Sequence, residues 1–328
     1  MQSPQTMLYS SGMAVDHFSE VLDLIAVRGV VSGGAAVTGR WSAESDVDEE
    51  LKFCAIVRGQ ALLDTDGVDS PITLAEGEVA ILNARSWLSL RGGTGDGALT
   101  EVPQPSNGEI TRLDDSDSEA SDIFIGGRID LDVAGHELLL DALPPVAHIR
   151  ASSPSASRVS GTIDRLFDEI TSARPGADFA VREYSQLLIL DVLRAFVDEV
   201  AVPSGWLRLL ADERLRPALD LIHERPEVAW GLNDLARASA MSRTAFAVRF
   251  REVAGMPPLT YLVRWRMLLA KRELRSADSR MRLLALKLGY SSESSFSSAF
   301  KRNVGESPHR YRTRMLAQRA PTTPAAHV

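Results

Sequence analysis

Two short stretches carry side chains suited to gripping a polyanion and reading its edges. SRTAFAVRFREVAG holds Arg243, Thr244, Ala247, Val248 and Arg251, and SSESSFSSAFKRNVG holds Glu293, Ser294, Ser297, Ser298 and Lys301 at the same steps. Guanidinium groups can bond a guanine edge in pairs, hydroxyls can bond either partner of a base pair, and a valine can meet the thymine methyl. The basic residues Arg264, Arg266, Lys301, Arg302, Arg310 and Arg312 offer the sequence-independent part of such binding, contact with phosphates. Gly205 to Arg319 contains 22 Lys+Arg against 11 Asp+Glu in a chain of net charge -8. The cationic character is therefore concentrated where those side chains lie.

The elements that must position them are written twice. GMPPLTYLVR from Gly255 and GESPHRYRTR from Gly305 share Gly, Pro, Tyr and Arg at one offset of fifty, which also pairs Phe246 and Phe250 with Phe296 and Phe300. Aromatics four apart share one helical face, and the glycine after them can end the helix. Ser242 and Ser292 stand where each helix should begin, placed to accept a backbone N–H. A short helical segment and a turn precede each pair, LNDLARAS with AMS and LLALKL with GYSS. The reading is two helix-turn-helix units, at about 230–253 and 280–303. Their framework is Leu235, Ala236, Phe246, Phe250, Ala285, Gly289, Phe296, Phe300, Gly305 and Pro308, and the polar sets above face outward. Between the copies PPLTYLVRWRMLLAKRELR reads as one helix of about 18 residues and roughly 27 Å. That is shorter than the ~34 Å between successive major grooves on one face of DNA, so joint engagement predicts bent DNA or one loosely seated unit.

The first half has a different texture. VVSGGAAV, LKFCAIV, QALLDT, PITL and EVAIL read as short strands separated by turns at Asp66-Gly67, Glu76-Gly77 and Arg91-Gly92-Gly93, the pattern of a small barrel or sandwich. Pro103 to Asp122 reads as a long polar, acidic loop, after which IFIGGRIDLDV restores strand character. Ile163, Leu166, Phe167 and Ile170, then Tyr184, Leu187, Leu188, Leu190, Leu193 and Phe196, keep helical spacing in two segments split by Arg174-Pro175-Gly176. Such a hairpin would cover a core or meet a second copy of the chain.

Enzymatic chemistry finds little support. The six histidines, His17, His136, His148, His223, His309 and His327, show no metal-ligand spacing, and none falls within the early strands. Neither a metal nor a cofactor is expected, and each histidine is assigned a surface or core role. Cys54, the single cysteine, excludes an internal disulfide and reads as a buried strand residue. GGTGDG lacks the lysine and helix start of a P-loop, and DDSDSEASD lacks the glycine and terminal glutamate of a calcium loop. No secretory leader or membrane span is read, which points to the cytoplasm.

The basic region resembles the DNA-binding domain of the AraC/XylS family of bacterial transcription regulators. LKLGYSSESSFSSAFKRNVGESPHRYR carries the Gly-Tyr turn, the Ser-Phe-x-x-Ala-Phe-Lys-Arg core, the Gly-x-x-Pro and the closing Tyr-Arg of that family's signature. LKFCAIVRGQALLDTDG, ITLAEGEVAILNARSW and ELLLDALPPVAHIRA resemble the cupin-like ligand-binding barrel of one of its subgroups. The resemblance implies an α+β chain of two domains: a cupin-like β-barrel over 1–150, a helical connector with a dimerisation role over 151–204, an all-α double helix-turn-helix over 205–316 and a tail over 317–328. It implies a sequence-specific transcription regulator, an activator rather than a repressor, with its two units reading adjacent major grooves of double-stranded DNA. RNA polymerase, a small-molecule effector and a second copy of the chain are the further partners, and Trp41, Lys52, Cys54 and Trp87 are candidate effector contacts. A cupin-type enzyme fused to a DNA-binding domain is the disfavoured alternative. The sequence departs from the family at Cys54 and Leu88, where histidines are frequent, and at Ala240, where a glycine is usual and a left-handed backbone would be strained. Val248 and Ser298 stand where relatives commonly offer arginine.

Overall fold

The computed structural model describes residues 16–24, 27–94, 97–104, 108–113, 122–131, 139–140, 143–172, 174–198, 204–275 and 280–319. They fall into two compact units, one of Ile25–Pro203 and one joining Met1–Leu24 to Ser204–Val328. The helical connector thus groups with the strands, while the first helix groups with the C-terminal helices.

The unit of Ile25–Pro203 is built on two sheets. The first has six strands in the order β11-β6-β3-β10-β1-β9, from β1 (Val27–Val37), β3 (Leu51–Arg58), β6 (Val79–Asn83), β9 (Ile110–Leu113), β10 (Asp122–Leu131) and β11 (Val146–Ile149). The second runs β5-β4-β7-β2-β8, from β2 (Trp41–Asp46), β4 (Gln60–Thr65), β5 (Ile72–Ala75), β7 (Trp87–Gly92) and β8 (Thr100–Glu101). Val37, Cys54, Ile56, Leu82 and Phe124 of the first sheet and Trp41, Leu63, Leu74, Leu88 and Leu90 of the second form one buried cluster. Burying side chains of this size contributes about 1.5–3 kcal/mol each, which is what holds the sheets face to face.

Within Pro103 to Asp122, read from sequence as loop, Ile110–Leu113 is strand β9 and pairs in parallel with Gly34–Val37 of β1. Four alternating residues beside charged neighbours are too short a run for periodicity to detect. The acidic run at 114–121 lies outside the described residues.

Helices α2 (Ala156–Ser172) and α3 (Ala177–Asp198) pack as the expected hairpin. Gly176 between them takes φ +87°, a left-handed conformation that glycine adopts without strain. Thr162 Oγ1 donates to Asp191 Oδ2 across the buried helix interface at 2.8 Å. α3 lies so close on β1 that a Cβ at Gly29 would stand 2.6 Å from the Ser185 Cβ. Glu78 ties β11 and the start of the hairpin to β6, accepting from the backbone N–H of Ala75 at 3.0 Å and of Ala151 at 2.7 Å and meeting His148 Nε2 at 2.8 Å. Burial works against its ionisation, but these donors outweigh it and hold the carboxyl below its ordinary value.

The other unit is helical among its described residues. It comprises α1 (His17–Leu24), α4 (Trp206–Ala211), α5 (Arg216–Glu224), α6 (Leu232–Ala238), α7 (Arg243–Ala254), α8 (Pro258–Glu273), α9 (Met281–Lys287), α10 (Glu293–Val304) and α11 (Pro308–Arg319). α1 docks through a polar chain. His17 bonds Glu20 through Nδ1 at 3.0 Å and Asp220 through Nε2 at 2.6 Å, and His223 bonds Glu20 through Nδ1 at 3.0 Å and Tyr261 Oη through Nε2 at 2.8 Å. The His223 ring stacks on Trp265 at 3.6 Å and 4°. Burial disfavours the His17 imidazolium, yet Glu20 and Asp220 more than offset this and raise its pKa, whereas for His223 burial prevails and lowers it. Burial likewise opposes the Glu20 carboxylate, and the hydrogen bonds from both rings bring it down to about 2. His17 and His223 stand 206 residues apart in sequence, so the absence of ligand spacing along the chain did not mean absence of a cluster in the fold.

Candidate nucleic-acid interface

The two helix-turn-helix units are built alike down to individual contacts. In the first, Phe246 and Phe250 are fully buried with ring centroids 5.7 Å apart, and Phe250 meets Tyr261 edge-on at 5.7 Å. In the second, Phe296 and Phe300 repeat the 5.7 Å pairing and Phe300 meets Tyr311 at 5.6 Å. The turns repeat too. Met241 N–H donates to Ala236 C=O and Tyr290 N–H to Ala285 C=O, both at 2.9 Å, closing the end of α6 and of α9 in the same way. Here the offset is 49 rather than fifty, because the second turn holds one extra residue, Ser291, before its capping serine. The fifty-residue echo therefore belongs to the second helix of each unit and to the glycine, proline and helix on its C-terminal side.

Left-handed residues sit at equivalent turn positions, Ala240 at φ 51° and Gly289 at φ 77°. The alanine in the first turn does carry the unfavourable conformation foreseen for it. At Gly289 the reason for glycine is also steric, since a Cβ there would stand 2.4 Å from the Glu227 carbonyl oxygen. Ser242 Oγ accepts from Ala245 N–H at 3.2 Å, and Ser292 Oγ from Ser295 N–H at 3.1 Å. Ser295 returns the bond by accepting from Ser292 N–H at 3.2 Å, so two of the serines in the run form a capping box. Both α7 and α10 end on a left-handed glycine, Gly255 at φ 71° and Gly305 at φ 87°.

With the aromatic faces buried, Arg243, Thr244, Val248 and Arg251 are exposed on α7 and Ala247 is half-buried. On α10 Glu293, Ser294, Ser298, Lys301 and Arg302 are exposed and Ser297 is half-buried. Val248 is 51% exposed, a large apolar side chain held in solvent. A groove of about 520 Å³ lies beside it, lined by Ala247, Val248, Arg251 and Leu259 among others. Leu235, Ala236, Ala285 and Pro308 are buried in the framework. α8 serves both units: Tyr261 and Trp265 face the first unit and His223, while Met267, Ala270 and Leu274 enter the second unit's core.

The basic residues divide into two kinds. Arg264, Lys301, Arg302 and Arg310 are exposed, and Arg312 is half-buried. Arg266 has a different place from the one sequence suggested. Its Nε donates to the Pro226 carbonyl at 2.7 Å and its Nη2 to the Val228 carbonyl at 2.9 Å, with the guanidinium 5.7 Å from the Tyr290 ring centroid. Burial lowers its pKa. It fastens the loop before α6 to the turn of the second unit, which commits these two donor nitrogens inside the unit. Arg249, between the outward arginines, likewise turns inward, with Nη2 2.7 Å from Asp212 Oδ2.

Of the four candidate effector contacts, Trp41 and Cys54 share the buried cluster between the sheets. Trp41 is 1% exposed, stacks on Phe124 at 4.9 Å and donates from Nε1 to Asp122 Oδ2 at 2.8 Å. Cys54 is buried in the same cluster, and burial pushes its thiol up to about 12. Lys52 donates to Ser45 Oγ at 3.0 Å. Trp87 is 38% exposed on the face of β7 opposite the buried Leu88.

Residues 16–198 match the cupin family and residues 235–314 a helix-turn-helix domain. An AraC-like transcription regulator of Streptomyces lividans is 36% identical over 304 residues, 91% of this chain and 98% of the relative. One of Streptomyces antibioticus is 35% identical over 303 residues, with the same coverage. The RCS-specific transcriptional activator RclR of Escherichia coli is 27% identical over 306 residues, 92% of this chain and 98% of the relative. Among solved structures, the DNA-binding domain of AdpA in complex with a target DNA is 30% identical over 33% of this chain and 97% of that one, with a TM-score of 0.31.

Proposed function

Since the chain belongs to the AraC-like transcription regulators that join an N-terminal cupin domain to a helix-turn-helix domain, we propose how its own residues meet DNA. α7 and α10 enter major grooves, with Arg243, Thr244, Val248 and Arg251 at base edges in the first and Ser294 and Ser298 in the second. Arg264, Lys301, Arg302 and Arg310 neutralise phosphates. The observation that carries this reading is the duplicated aromatic and turn geometry, which holds both helices with their polar faces outward.

The chemistry of the two faces makes their readout unequal. α7 brings two arginines that can bond guanine in pairs, whereas α10 brings hydroxyls and Glu293, which favour single or water-mediated contacts. α8 has 16 residues, about 24 Å, which keeps bent DNA or one loosely seated unit as the expected outcome. The cupin unit is assigned the regulatory input, by an effector or by pairing with a second copy, and no enzymatic role. Activation is the expected sign, in keeping with the name of the Escherichia coli relative. Selection from random duplexes with the full chain tests the reading: an enriched motif, more strongly specified on the α7 side, is expected. Recovery of unenriched sequence would overturn it.

A further inference from the structure

The helices α1 and α5 each contribute a histidine and a carboxylate three residues apart, His17 with Glu20 and Asp220 with His223, and the fold brings the two pairs face to face. Residues at this spacing share a helical face, so each helix presents both groups to the other. One ligand atom each from His17, Glu20 and His223 lies within 4.8 Å of the others, the single such trio of histidine, cysteine and acidic side chains among the described residues. His17 Nδ1 and His223 Nδ1 both stand 3.0 Å from Glu20 Oε2. Ligands about 2.0–2.1 Å from a tetrahedral ion are about 3.3 Å from one another, so a small displacement would admit one between them.

The surroundings match what a metal centre requires of its outer groups. A ligating imidazole usually donates from its other nitrogen to an orienting partner. His17 Nε2 is 2.6 Å from Asp220 Oδ1, and His223 Nε2 is 2.8 Å from Tyr261 Oη. The His223 ring is clamped against Trp265 and stands nearly perpendicular to His17, with centroids 4.5 Å apart at 74°. Both histidine side chains are buried, whereas that of Glu20 is 38% exposed and offers an entry path.

We propose that His17 Nδ1, His223 Nδ1 and a Glu20 carboxylate oxygen bind a divalent transition cation of the zinc class, cross-linking α1 to α5. Two imidazoles and one carboxylate are the ligand set such ions favour over magnesium or calcium, and they leave a fourth position for water. Bound there, the ion fastens the N-terminal helix to the helices that carry the first DNA-reading unit.

The test uses the untagged full chain, stripped with a chelator and titrated with Zn²⁺ against a chromophoric competitor. One saturable Zn²⁺ per chain is expected, with Co²⁺ giving the visible ligand-field bands of a low-coordinate ion. His17→Gln and Glu20→Gln, checked for folding by circular dichroism, should each abolish that uptake, and Asp220→Asn should weaken it roughly 10- to 100-fold. Absence of saturable uptake by the unsubstituted chain overturns the proposal. So does uptake that survives the double substitution of His17 and Glu20; either result leaves the cluster a hydrogen-bonded clasp.

Discussion

Arg264 and Arg266 lie two residues apart on one basic helix, and replacing each by alanine should give opposite results. Arg266 makes two charge-assisted hydrogen bonds, to the Pro226 and Val228 carbonyls at 2.7 and 2.9 Å. Bonds of this kind contribute about 1.5–3 kcal/mol each. The guanidinium is half-buried, so water will satisfy part of what is lost, and about 2–3 kcal/mol is the expected cost. For a helical unit of this size that lowers Tm by roughly 10 °C. Well below that Tm, the dependence of log K on log salt for a non-specific duplex should be unchanged, because no phosphate contact is removed. Arg264→Ala should instead leave Tm within about 0.5 kcal/mol equivalent and reduce the magnitude of the salt slope by about 0.9. The assays are calorimetric unfolding and fluorescence anisotropy over a salt series on the full chain. A stable Arg266→Ala protein with a shallower slope would refute the separation of the two arginines.

Three further expectations rest on single sites. Gly289→Ala should cost more than about 2 kcal/mol in chemical unfolding, combining a left-handed penalty of about 1–2 kcal/mol with the clash against Glu227; retention of full stability would contradict the turn geometry. Glu78 is held below its ordinary value near 4.5, so its contribution is complete above that pH and disappears as pH falls through the folded-state value. Glu78→Gln should therefore lose stability at neutral pH and show a flatter acid limb, whereas parallel acid limbs for the two proteins would speak against it. Cys54, buried and with its thiol pushed up to about 12, should react with a thiol reagent only as the chain unfolds; rapid labelling of the native protein would show that it is accessible.

The elements that repeat were the legible ones. Phe246, Phe250 and Tyr261 recur as Phe296, Phe300 and Tyr311 because a helix period and a fixed framework constrain them, and the structure gives both trios the same spacing. Strand β2 carries little sequence signal, since WSAESD keeps Trp41 deeply buried and is otherwise half-buried or exposed, a pattern close to that of a polar loop. Arg266 could not be told from Arg264 by composition. Two residues turn a helix by about 200°, but only the carbonyls of the 226–228 loop decide which side is the inner one. The pairing of His17 with His223 had no local signal at all, since it exists only once α1 has docked on α5. Trp41, read as an effector contact, sits in the core because its ring partner Phe124 and acceptor Asp122 come from a strand some 80 residues later.

The central claim is that α7 and α10 occupy successive major grooves on one face of the duplex. Methylation interference at guanine N7 on a selected site measures this directly, because N7 lies in the major groove. Two clusters of interference about 10 base pairs apart are predicted, the stronger facing Arg243 and Arg251. A single cluster, or no interference at guanine N7, would contradict the account.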